Sequence, residues 1–307
     1  MIDVTVCICT YRRPDELRRL LHSLSGSQPL PPGYRWTSTL VVDNDPERSA
    51  APVFDDPWPD LPGLGWVTEP EPGISAARNR AVAEAPGHLV AFVDDDETVA
   101  PAWLSTLTRT HALSQPAAVV GYVQYTFPAG SPRWLAGSRV YAWPDWSDGE
   151  VLDTLATGNL LIDRSLTAEL GPLFDPRFGL LGGEDHHLGR RLVSGGHPIV
   201  HSRNAVTYEP VDGPRLQRRT VFKRLVRAGS TLVNVDLALV GPGSPGIGVR
   251  ARHLLVGGAK LPLGVGRALS LAITGGPAEA PLGLETCLIG IGQISASLGR
   301  DVIGYNR

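Results

Sequence analysis

The chain has 307 residues, of which 42% are hydrophobic, with 28 Lys and Arg against 31 Asp and Glu. This length suffices for one large domain or two modest ones, each with a core. The near balance of charge gives no sign of a nucleic-acid partner. Met1-Ile2-Asp3 runs directly into a predicted strand, so we expect no signal peptide.

Three cysteines and two uncharged stretches give information about the redox compartment and about possible membrane spans. Cys7 and Cys9 lie two apart on a predicted strand and point to one face, so we expect unbridged core residues in a reducing compartment. Cys287 lies far away in the sequence. Residues 268–278 and 286–299 lack charge but are too short and too interrupted by glycine to predict a bilayer span.

The first hundred residues alternate between predicted strands and helices. Strands are predicted over residues 4–10, 40–42, 66–67 and 89–93, and helices over residues 15–24 and 76–85. The order strand, helix, strand, strand, helix, strand indicates a mostly parallel sheet with helices on its faces. The first strand–helix turn lacks both the Gly-rich dinucleotide fingerprint and a phosphate-cradling loop, which argues against a nicotinamide or flavin enzyme.

Four consecutive carboxylates, Asp94 to Glu97, follow the strand at residues 89–93. They repel one another unless a cation is present, and the carboxyl end of a strand in an open α/β sheet faces the ligand crevice. Oxygen ligands select hard ions such as Mg²⁺ or Mn²⁺. The alternative interpretation is a solvated acidic turn or helix start.

The next hundred residues continue the α/β pattern around a loop rich in aromatic residues. A helix is predicted over residues 101–113, strands over 118–125, 159–162, 197–200 and 205–208, and a helix after Gly183. The loop at residues 128–149 carries three Trp and one Tyr. A loop of that length is uncommon unless it binds something, and the alternative is a loop held by its own aromatic side chains.

Glu184 and Asp185 follow two glycines at the predicted helix start. A carboxylate held there by flanking backbone stays ionised, as a general base must, and the alternative is an N-cap pair. His186 and His187 are interpreted as structural, because neither cysteines nor regular spacing accompany them.

The last hundred residues change in character. Residues 215–227 form a predicted basic helix, whose charges are either a solvated face or a surface for pyrophosphate or anionic lipid. A later apolar stripe comprises Leu284, Leu288, Ile291, Ile294 and Leu298. The stripe fits three roles: packing on the domain, pairing with another subunit, or lying in a membrane interface.

An ordered set of motifs covering residues 2–210 resembles the inverting family 2 glycosyltransferases. The motifs are Val6 to Arg13, Val41-Val42-Asp43-Asn44, Gly73 to Asn79, Phe92 to Asp96, Thr157-Gly158-Asn159 and Gly183-Glu184-Asp185. The resemblance implies the GT-A fold, a Rossmann-like α/β/α sandwich with a mixed, mostly parallel sheet, followed here by a C-terminal helical extension. Residues 1–100 would be the nucleotide-sugar half, 101–212 the acceptor and catalytic-base half, and 213–307 the extension.

The resemblance also implies roles for individual residues. Asp43 would contact the nucleotide base, Arg78 would lie near the base and diphosphate, and Asp185, beside Glu184, would be the catalytic base. Asp94, Asp95 and Asp96 would contact the ribose and the metal. Asp96 would be the principal metal ligand, and Asp94 would be a second one. The other donor-site residues implied are Thr10, Tyr11, Arg13, Asn79, Gly158 and Asn159. Many relatives carry a metal-binding histidine where this chain has Glu209-Pro210, so either Glu209 or the earlier His201, or no protein group, completes the metal site.

The implied function is transfer of a sugar, in hexosyltransferase fashion, from a nucleoside-diphosphate donor to a hydroxyl acceptor with Mg²⁺ or Mn²⁺. UDP is the favoured nucleotide, and the acceptor is a glycan, a lipid-linked saccharide or a small metabolite. The alternatives are a non-catalytic sugar-binding protein on the same fold and a sugar-1-phosphate nucleotidyltransferase. The expected location is the cytoplasm, with the C-terminal region on the inner membrane face or in a homodimer.

Overall fold

The computed structural model describes residues 1–240, 245–276 and 278–300. Its amino-terminal elements follow the predicted order of strands and helices. They are β1 (Ile2–Thr10), α1 (Pro14–Ser25), β2 (Tyr34–Asp43), β3 (Gly65–Thr68), α2 (Ile74–Glu84) and β4 (Leu89–Val93). The local patterns of apolar residues were therefore sufficient to find each element, although β2 begins six residues before the predicted start.

The remaining elements contain more helix than predicted. They are β5 (Thr98–Val99), α3 (Trp103–Ser114), β6 (Ala118–Thr126), α4 (Arg133–Ala136), β7 (Val151–Leu152), β8 (Asn159–Asp163), α5 (Leu166–Leu170), α6 (Glu184–Ser194), β9 (Ile199–Pro210), α7 (Arg218–Leu239), α8 (Ile247–Thr274) and α9 (Ala280–Ser297). The two strands predicted over residues 197–200 and 205–208 are one strand, β9. The exposed polar pair Arg203 and Asn204 interrupts the apolar pattern of β9 without interrupting its backbone pairing.

The described strands form one mixed sheet, as predicted. Its order is β3-β2-β1-β4-β8-β6-β9-β5, and β7 pairs with β9. β3, β2, β1 and β4 are parallel neighbours, whereas the pairs of β8 with β4 and β6 are antiparallel. Thr10 lies opposite Asp43 at the ends of β1 and β2, and Asp94 follows β4 directly. Parallel strands therefore bring these polar residues to one edge of the sheet.

Two helices beside the parallel half of the sheet begin for different local reasons. α1 has Pro14 in its first turn, followed by two acidic residues that suit the helix dipole, and it buries Leu17, Leu20, Leu21 and Leu24. α2 follows Gly73, whose φ is +118°. A Cβ on Gly73 would stand 2.8 Å from the backbone of Gly179, so only glycine permits this close approach.

The chain divides into two compact units. The first contains residues 1–124, 145–179 and 184–209, and the second contains residues 125–144, 180–183 and 210–307. The first unit holds the sheet core and every candidate site residue of the predicted glycosyltransferase motifs. The second unit is mainly helical.

Two aromatic residues of the loop at 128–149 are part of the second unit's own core. Trp134 and Tyr141 are buried against Val211, Val221 and Leu225. The Tyr141 hydroxyl donates a hydrogen bond to the Arg215 carbonyl at 2.6 Å. These contacts support the interpretation of a loop held by its own aromatics.

The sequence left three roles open for the C-terminal apolar stripe, and α8 and α9 bury few of their large apolar side chains. On α9 the buried positions are glycine, polar or small residues, whereas Ile291 and Leu298 of the predicted apolar stripe are exposed. α8 is long and apolar enough to cross a membrane by length and composition, and only 17% of its most apolar window is buried. The sequence predicted no bilayer span because only stretches without charge were considered. α8 contains Lys260 and Arg267, so it was not among those stretches.

Candidate active site

The acidic turn after β4 is tied to the loop after β1. Thr10 Oγ1 donates a hydrogen bond to Asp95 Oδ2 at 2.7 Å. Arg13 Nη1 lies 2.9 Å from Asp95 Oδ1 and 3.0 Å from Asp96 Oδ2. Asp95 therefore points inward and is buried, while the Asp94 side chain stays 43% exposed. Thr10 and Arg13, both expected near the donor, thus adjoin the acidic cluster, and Tyr11 lies between them in the chain.

Arg78 joins the two acidic centres that the sequence singled out. Its guanidinium pairs with Glu184 Oε1 through Nη1 and with Asp94 Oδ1 through Nη2, the latter at 3.1 Å. The Arg78 side chain is only 6% exposed and lies over the Phe174 ring, 5.8 Å from its centroid. Residues 106 positions apart in the chain are therefore linked directly. Phe174 had no predicted role, because nothing in its local sequence marks it as a partner of an arginine.

Glu184 and Asp185 open α6 and point to different surroundings. Glu184 is buried, and its Oε2 has no hydrogen-bond partner. Asp185 is half-buried, and its Oδ1 accepts from the backbone N–H of His186 at 2.7 Å. Glu184 holds Arg78, which leaves Asp185 as the more accessible carboxylate of the pair. His187 is buried against the Phe178 ring, as expected of a structural histidine.

Asp43 and Asn44 organise the end of β2. Asp43 is fully buried and accepts from the backbone N–H groups of Asp45 and Ala50, at 3.0 and 2.8 Å. The Asn44 amide donates to the carbonyls of Glu69 and Glu71 and accepts from Gly73 N–H, which ties β2 to the start of α2. The predicted base contact of Asp43 remains a prediction, and the visible role of its carboxylate is to shape this loop.

Asn79 and Asn159, both expected at the donor site, have their amides occupied by the fold. Asn79 accepts from the backbone N–H of Phe174 and donates to its carbonyl. Asn159 is fully buried, accepts from Trp103 Nε1 at 2.8 Å and donates to the carbonyls of Tyr122 and Ala205. Donor contact by either residue stays a prediction.

Gly158 lies directly under the acidic turn. Val93 pairs with Asn159, which places Gly158 opposite Asp94. A Cβ on Gly158 would stand 2.7 Å from Glu97 Oε1 and 3.2 Å from Asp94 Oδ2. The small-residue approach to β8 therefore makes room for carboxylates.

Glu97, the last of the four consecutive carboxylates, received no individual role from the sequence. It is buried, and its Oε2 has no hydrogen-bond partner. Thr98 pairs with Tyr208, so the next step of the antiparallel register places Glu97 opposite Glu209. The charges of Asp94 and Glu209 both raise the pKa of Glu97, in addition to burial. Its adjacency to the Asp triplet was the only available signal.

His201 lies too far along β9 to complete a metal site with the acidic turn. Eight residues separate it from Glu209, or about 26 Å of extended strand. Its Nδ1 lies 3.0 Å from the Val120 carbonyl, and its ring packs against Trp146. Of the two candidate residues, Glu209 adjoins the acidic residues and His201 does not, while the third alternative, that no protein group completes the metal site, is untested.

The site holds several carboxylates whose protonation is shifted by their surroundings. Burial raises the pKa of Asp95 to about 7, although the Arg13 charge opposes this. Burial, followed by the neighbouring Asp185 charge, raises the pKa of Glu184 to about 7. Desolvation also raises the pKa of Asp94, and the charges of Asp96 and Asp185 add to that rise. Asp96 and Asp185 therefore both act on Asp94, as carboxylates of a single site do.

A separate hollow lies near the opposite end of β4. It has a volume of about 670 Å³ and is lined by His88, Asp163 and Arg164, among others. His88 immediately precedes β4, whereas the acidic turn follows it. The hollow therefore does not contain the carboxylates described above.

The partly exposed side chains of the acidic turn carry only oxygen donors. Within residues 1–240, 245–276 and 278–300, no three His, Cys, Asp or Glu side chains are arranged as a complete metal site. Asp94 and Asp96 remain partly exposed and offer oxygen donors only. This donor set fits Mg²⁺ or Mn²⁺, which in proteins commonly bind one or two carboxylates together with substrate phosphates.

A mixed α/β sheet that gathers such carboxylates at the ends of its parallel strands is the arrangement of the GT-A glycosyltransferases. The model of the family "Glycosyl transferase family 2" matches residues 5–164. The chain is 34% identical over 232 residues to the succinoglycan biosynthesis protein ExoM of Rhizobium meliloti, covering 75% of this chain and 74% of ExoM. It is 24% identical over 216 residues to the glycosyltransferase AglE of Haloferax volcanii, covering 67% and 66% of the two chains.

Solved structures support the same fold. The mannosyltransferase PcManGT from Pyrobaculum calidifontis, in complex with GDP-Man and Mn²⁺, matches with a TM-score of 0.57 and 18% identity, covering 96% of this chain and 74% of that one. S. aureus TarS 1–349, in complex with UDP-GlcNAc, matches with a TM-score of 0.54 and 14% identity, covering 97% and 93%. This chain belongs to glycosyltransferase family 2. It is a glycosyltransferase, which favours sugar transfer over a non-catalytic sugar-binding protein and a sugar-1-phosphate nucleotidyltransferase.

Proposed function

We propose that the protein transfers a sugar from a nucleoside-diphosphate donor to a hydroxyl group with inversion at the anomeric carbon, and that Asp185 is the general base. The observation that carries the proposal is the Arg78 bridge between Asp94 and Glu184. It joins the acidic turn to the start of α6, where Asp185 is the next residue. One site then has both a place for the diphosphate's cation and a proton acceptor.

Asp94 and Asp96 are the proposed ligands of Mg²⁺ or Mn²⁺, with Glu209 beside them. Such a cation, when bound, offsets the negative charge that grows on the departing diphosphate. Arg13 contacts both Asp95 and Asp96. It therefore limits the repulsion within the triplet before a donor binds. PcManGT and TarS were solved with GDP-Man and UDP-GlcNAc, so both nucleotides are reasonable donors to test, and UDP remains our first choice.

Asp185 is proposed to act on the acceptor. The acceptor hydroxyl attacks the anomeric carbon from the face opposite the diphosphate, a C–O bond forms, and the bond to the diphosphate oxygen breaks. Asp185 takes the hydroxyl proton during this attack. The His186 N–H holds Asp185 Oδ1. Asp185 is more exposed than the neighbouring Glu184, which suits it to accept a proton from an incoming hydroxyl.

The acceptor is proposed to be a growing saccharide. The relative with 34% identity is named for succinoglycan biosynthesis, which makes polysaccharide assembly the first process to test. A lipid-linked saccharide and a free glycan end present the same attacking hydroxyl. The site residues described above do not distinguish them, so the acceptor panel should contain both.

Two linked measurements test this proposal. Thermal unfolding with UDP and GDP, each with and without Mn²⁺, should show stabilisation by one diphosphate only when the metal is present. Asp185→Asn should keep that stabilisation while the transfer rate falls about 10²- to 10⁴-fold. Asp60→Asn, an exposed change in a loop, is the matched control and should leave both unchanged. Transfer retained by Asp185→Asn contradicts the base assignment, and metal-independent binding contradicts the cation site.

A further inference from the structure

The outer side of α8 carries an unusual concentration of exposed apolar side chains. Of the 17 large hydrophobic residues exposed in the described part of the chain, seven lie on this one helix: Ile247, Leu255, Val256, Leu263, Val265, Leu269 and Ile273. Leu255 is 76% exposed and Ile273 is 84% exposed. Leu255, Leu269 and Ile273 recur at intervals that bring them to one side of an α-helix. Single exposed apolar side chains are normal in soluble proteins, whereas a concentration of them on one helix marks an interaction site.

The inner side of the same helical unit is lined by small residues. A Cβ on Gly264 of α8 would overlap the backbone of Cys287, and one on Gly283 of α9 would overlap the backbone of Ala268. A Cβ on Gly292 would likewise overlap the carbonyl of Val226 on α7. α8 and α9 therefore approach their neighbours through glycines, and the positions that α8 buries carry none of its large apolar side chains. Water-soluble bundles do the reverse, whereas helices in lipid pack through small residues in this way.

Hydrogen bonds between polar side chains also join the three helices. His253 Nε2 lies 2.8 Å from Asp236 Oδ2, which links α8 to α7. On α9, Gln293 Nε2 lies 2.9 Å from His253 Nδ1. Gln293 Oε1 accepts a hydrogen bond from Lys260 Nζ at 2.8 Å. Interhelical hydrogen bonds of this kind persist in an apolar medium, where hydrophobic attraction between helices is absent.

The charge of this part of the chain has the sign that suits an anionic membrane. Residues 210–307 contain 12 Lys and Arg against 5 Asp and Glu, whereas residues 1–209 contain 16 against 26. On α7 the exposed Arg218, Arg219 and Lys223 surround Phe222 and Val226, forming a shallow groove of about 540 Å³ with an apolar floor. Basic residues near an anionic bilayer strengthen binding through the negative surface potential of the lipids.

We propose that α7, α8 and α9 dock the protein on an anionic bilayer, with α8 lying in the plane of the membrane. The outer side of α8 would enter the boundary between headgroups and acyl chains, and the basic residues of α7 would contact lipid phosphates. The 28 residues of α8, at about 1.5 Å per residue, are long enough to span a bilayer. However, a span would place Lys260 or Arg267 near the bilayer centre, where a charged side chain is costly. An in-plane helix keeps both charges at the polar level.

Vesicle flotation of the full chain tests the proposal without reference to transfer activity. We expect the protein to float with phosphatidylcholine vesicles containing phosphatidylglycerol and much less with phosphatidylcholine alone. Burying one Leu or Ile side chain contributes about 1.5–3 kcal/mol, which is about tenfold or more in partitioning. The Leu269→Glu/Ile273→Glu variant should therefore bind at least about tenfold more weakly for each side chain changed. Leu113→Glu, at a leucine 83% exposed on α3, is the matched control and should float like the wild type.

A second variant and two further measurements keep the proposal falsifiable if the first variant misfolds. Arg218→Gln/Lys223→Gln should reduce flotation with anionic vesicles and leave the weak neutral binding unchanged. Alkaline carbonate should release the wild-type protein from membranes, and retention after carbonate would overturn the in-plane placement. If neither vesicle type is bound, and light scattering shows a dimer that Leu269→Glu/Ile273→Glu dissociates, a second copy covers α8 and the membrane proposal is wrong.

Discussion

Replacing Arg78 by Met should destabilise the protein strongly and in a way that depends on pH. Arg78 and Glu184 are 6% and 4% exposed, and the same guanidinium also binds the partly exposed Asp94. Met preserves most of the side-chain length but removes the charge, which leaves Glu184 without a partner. Loss of one member of a buried ion pair costs about 3–5 kcal/mol. We expect a loss of that size in the free energy of unfolding at about pH 8, where the folded variant must either bury an unpaired Glu184 carboxylate or hold a proton that the unfolded chain has released.

At lower pH the same substitution should cost less. The Arg78 charge opposes the rise in the pKa of Glu184, so removing Arg78 raises that pKa further. The variant's Glu184 is then neutral at about pH 5, and the remaining cost is that of a poorly satisfied buried polar group, about 1–3 kcal/mol. Urea unfolding of wild type and variant at the two pH values, with EDTA present, measures both differences.

Arg80→Met on the same helix is the matched control. Arg80 pairs with Glu84 at 2.9 Å, but both side chains are at least 40% exposed. An exposed pair four residues apart on a helix contributes only about 0.3–0.5 kcal/mol. A cost below about 1 kcal/mol for Arg78→Met at both pH values would refute the bridge as a stabilising contact. An equal cost at both pH values would refute the ionisation argument.

Two further predictions concern the space beneath the acidic turn. Burial raises the pKa of Glu97 well above its ordinary value of 4.5, so the folded state holds a proton that the unfolded state releases, and stability falls as pH rises above 4.5. Glu97→Gln should reduce that fall, as measured by urea unfolding in EDTA between about pH 5 and pH 8, and an unchanged slope would contradict the burial argument. Gly158→Ala should cost about 1–3 kcal/mol, because its Cβ would stand 2.7 Å from Glu97 Oε1. Gly65→Ala on β3, where a Cβ meets nothing within 4 Å, is the control, and equal losses in urea unfolding would count against the steric explanation.

The sequence by itself determined the order of the amino-terminal elements and singled out the carboxylates of the candidate site. Period-two and helical patterns depend on neighbours within a few residues, so β1 to β4 and the two helices between them were found from local sequence. The Asp94–Asp96 triplet and the Glu184-Asp185 pair were recognisable because adjacent carboxylates repel one another unless another group compensates their charge. The same local patterns misjudged β9, where a polar pair lies within a continuous strand.

Only the tertiary structure decided which of these residues meet. The contact of Arg78 with both Asp94 and Glu184 depends on how α2, β4 and α6 pack, which no local pattern encodes. Tertiary packing also assigned the Asn159 amide to three partners in the core. For α8, the glycines set how closely the helices approach and therefore which side of the helix is exposed. Contacts between distant segments are the physical reason, since they form only once the whole chain has folded.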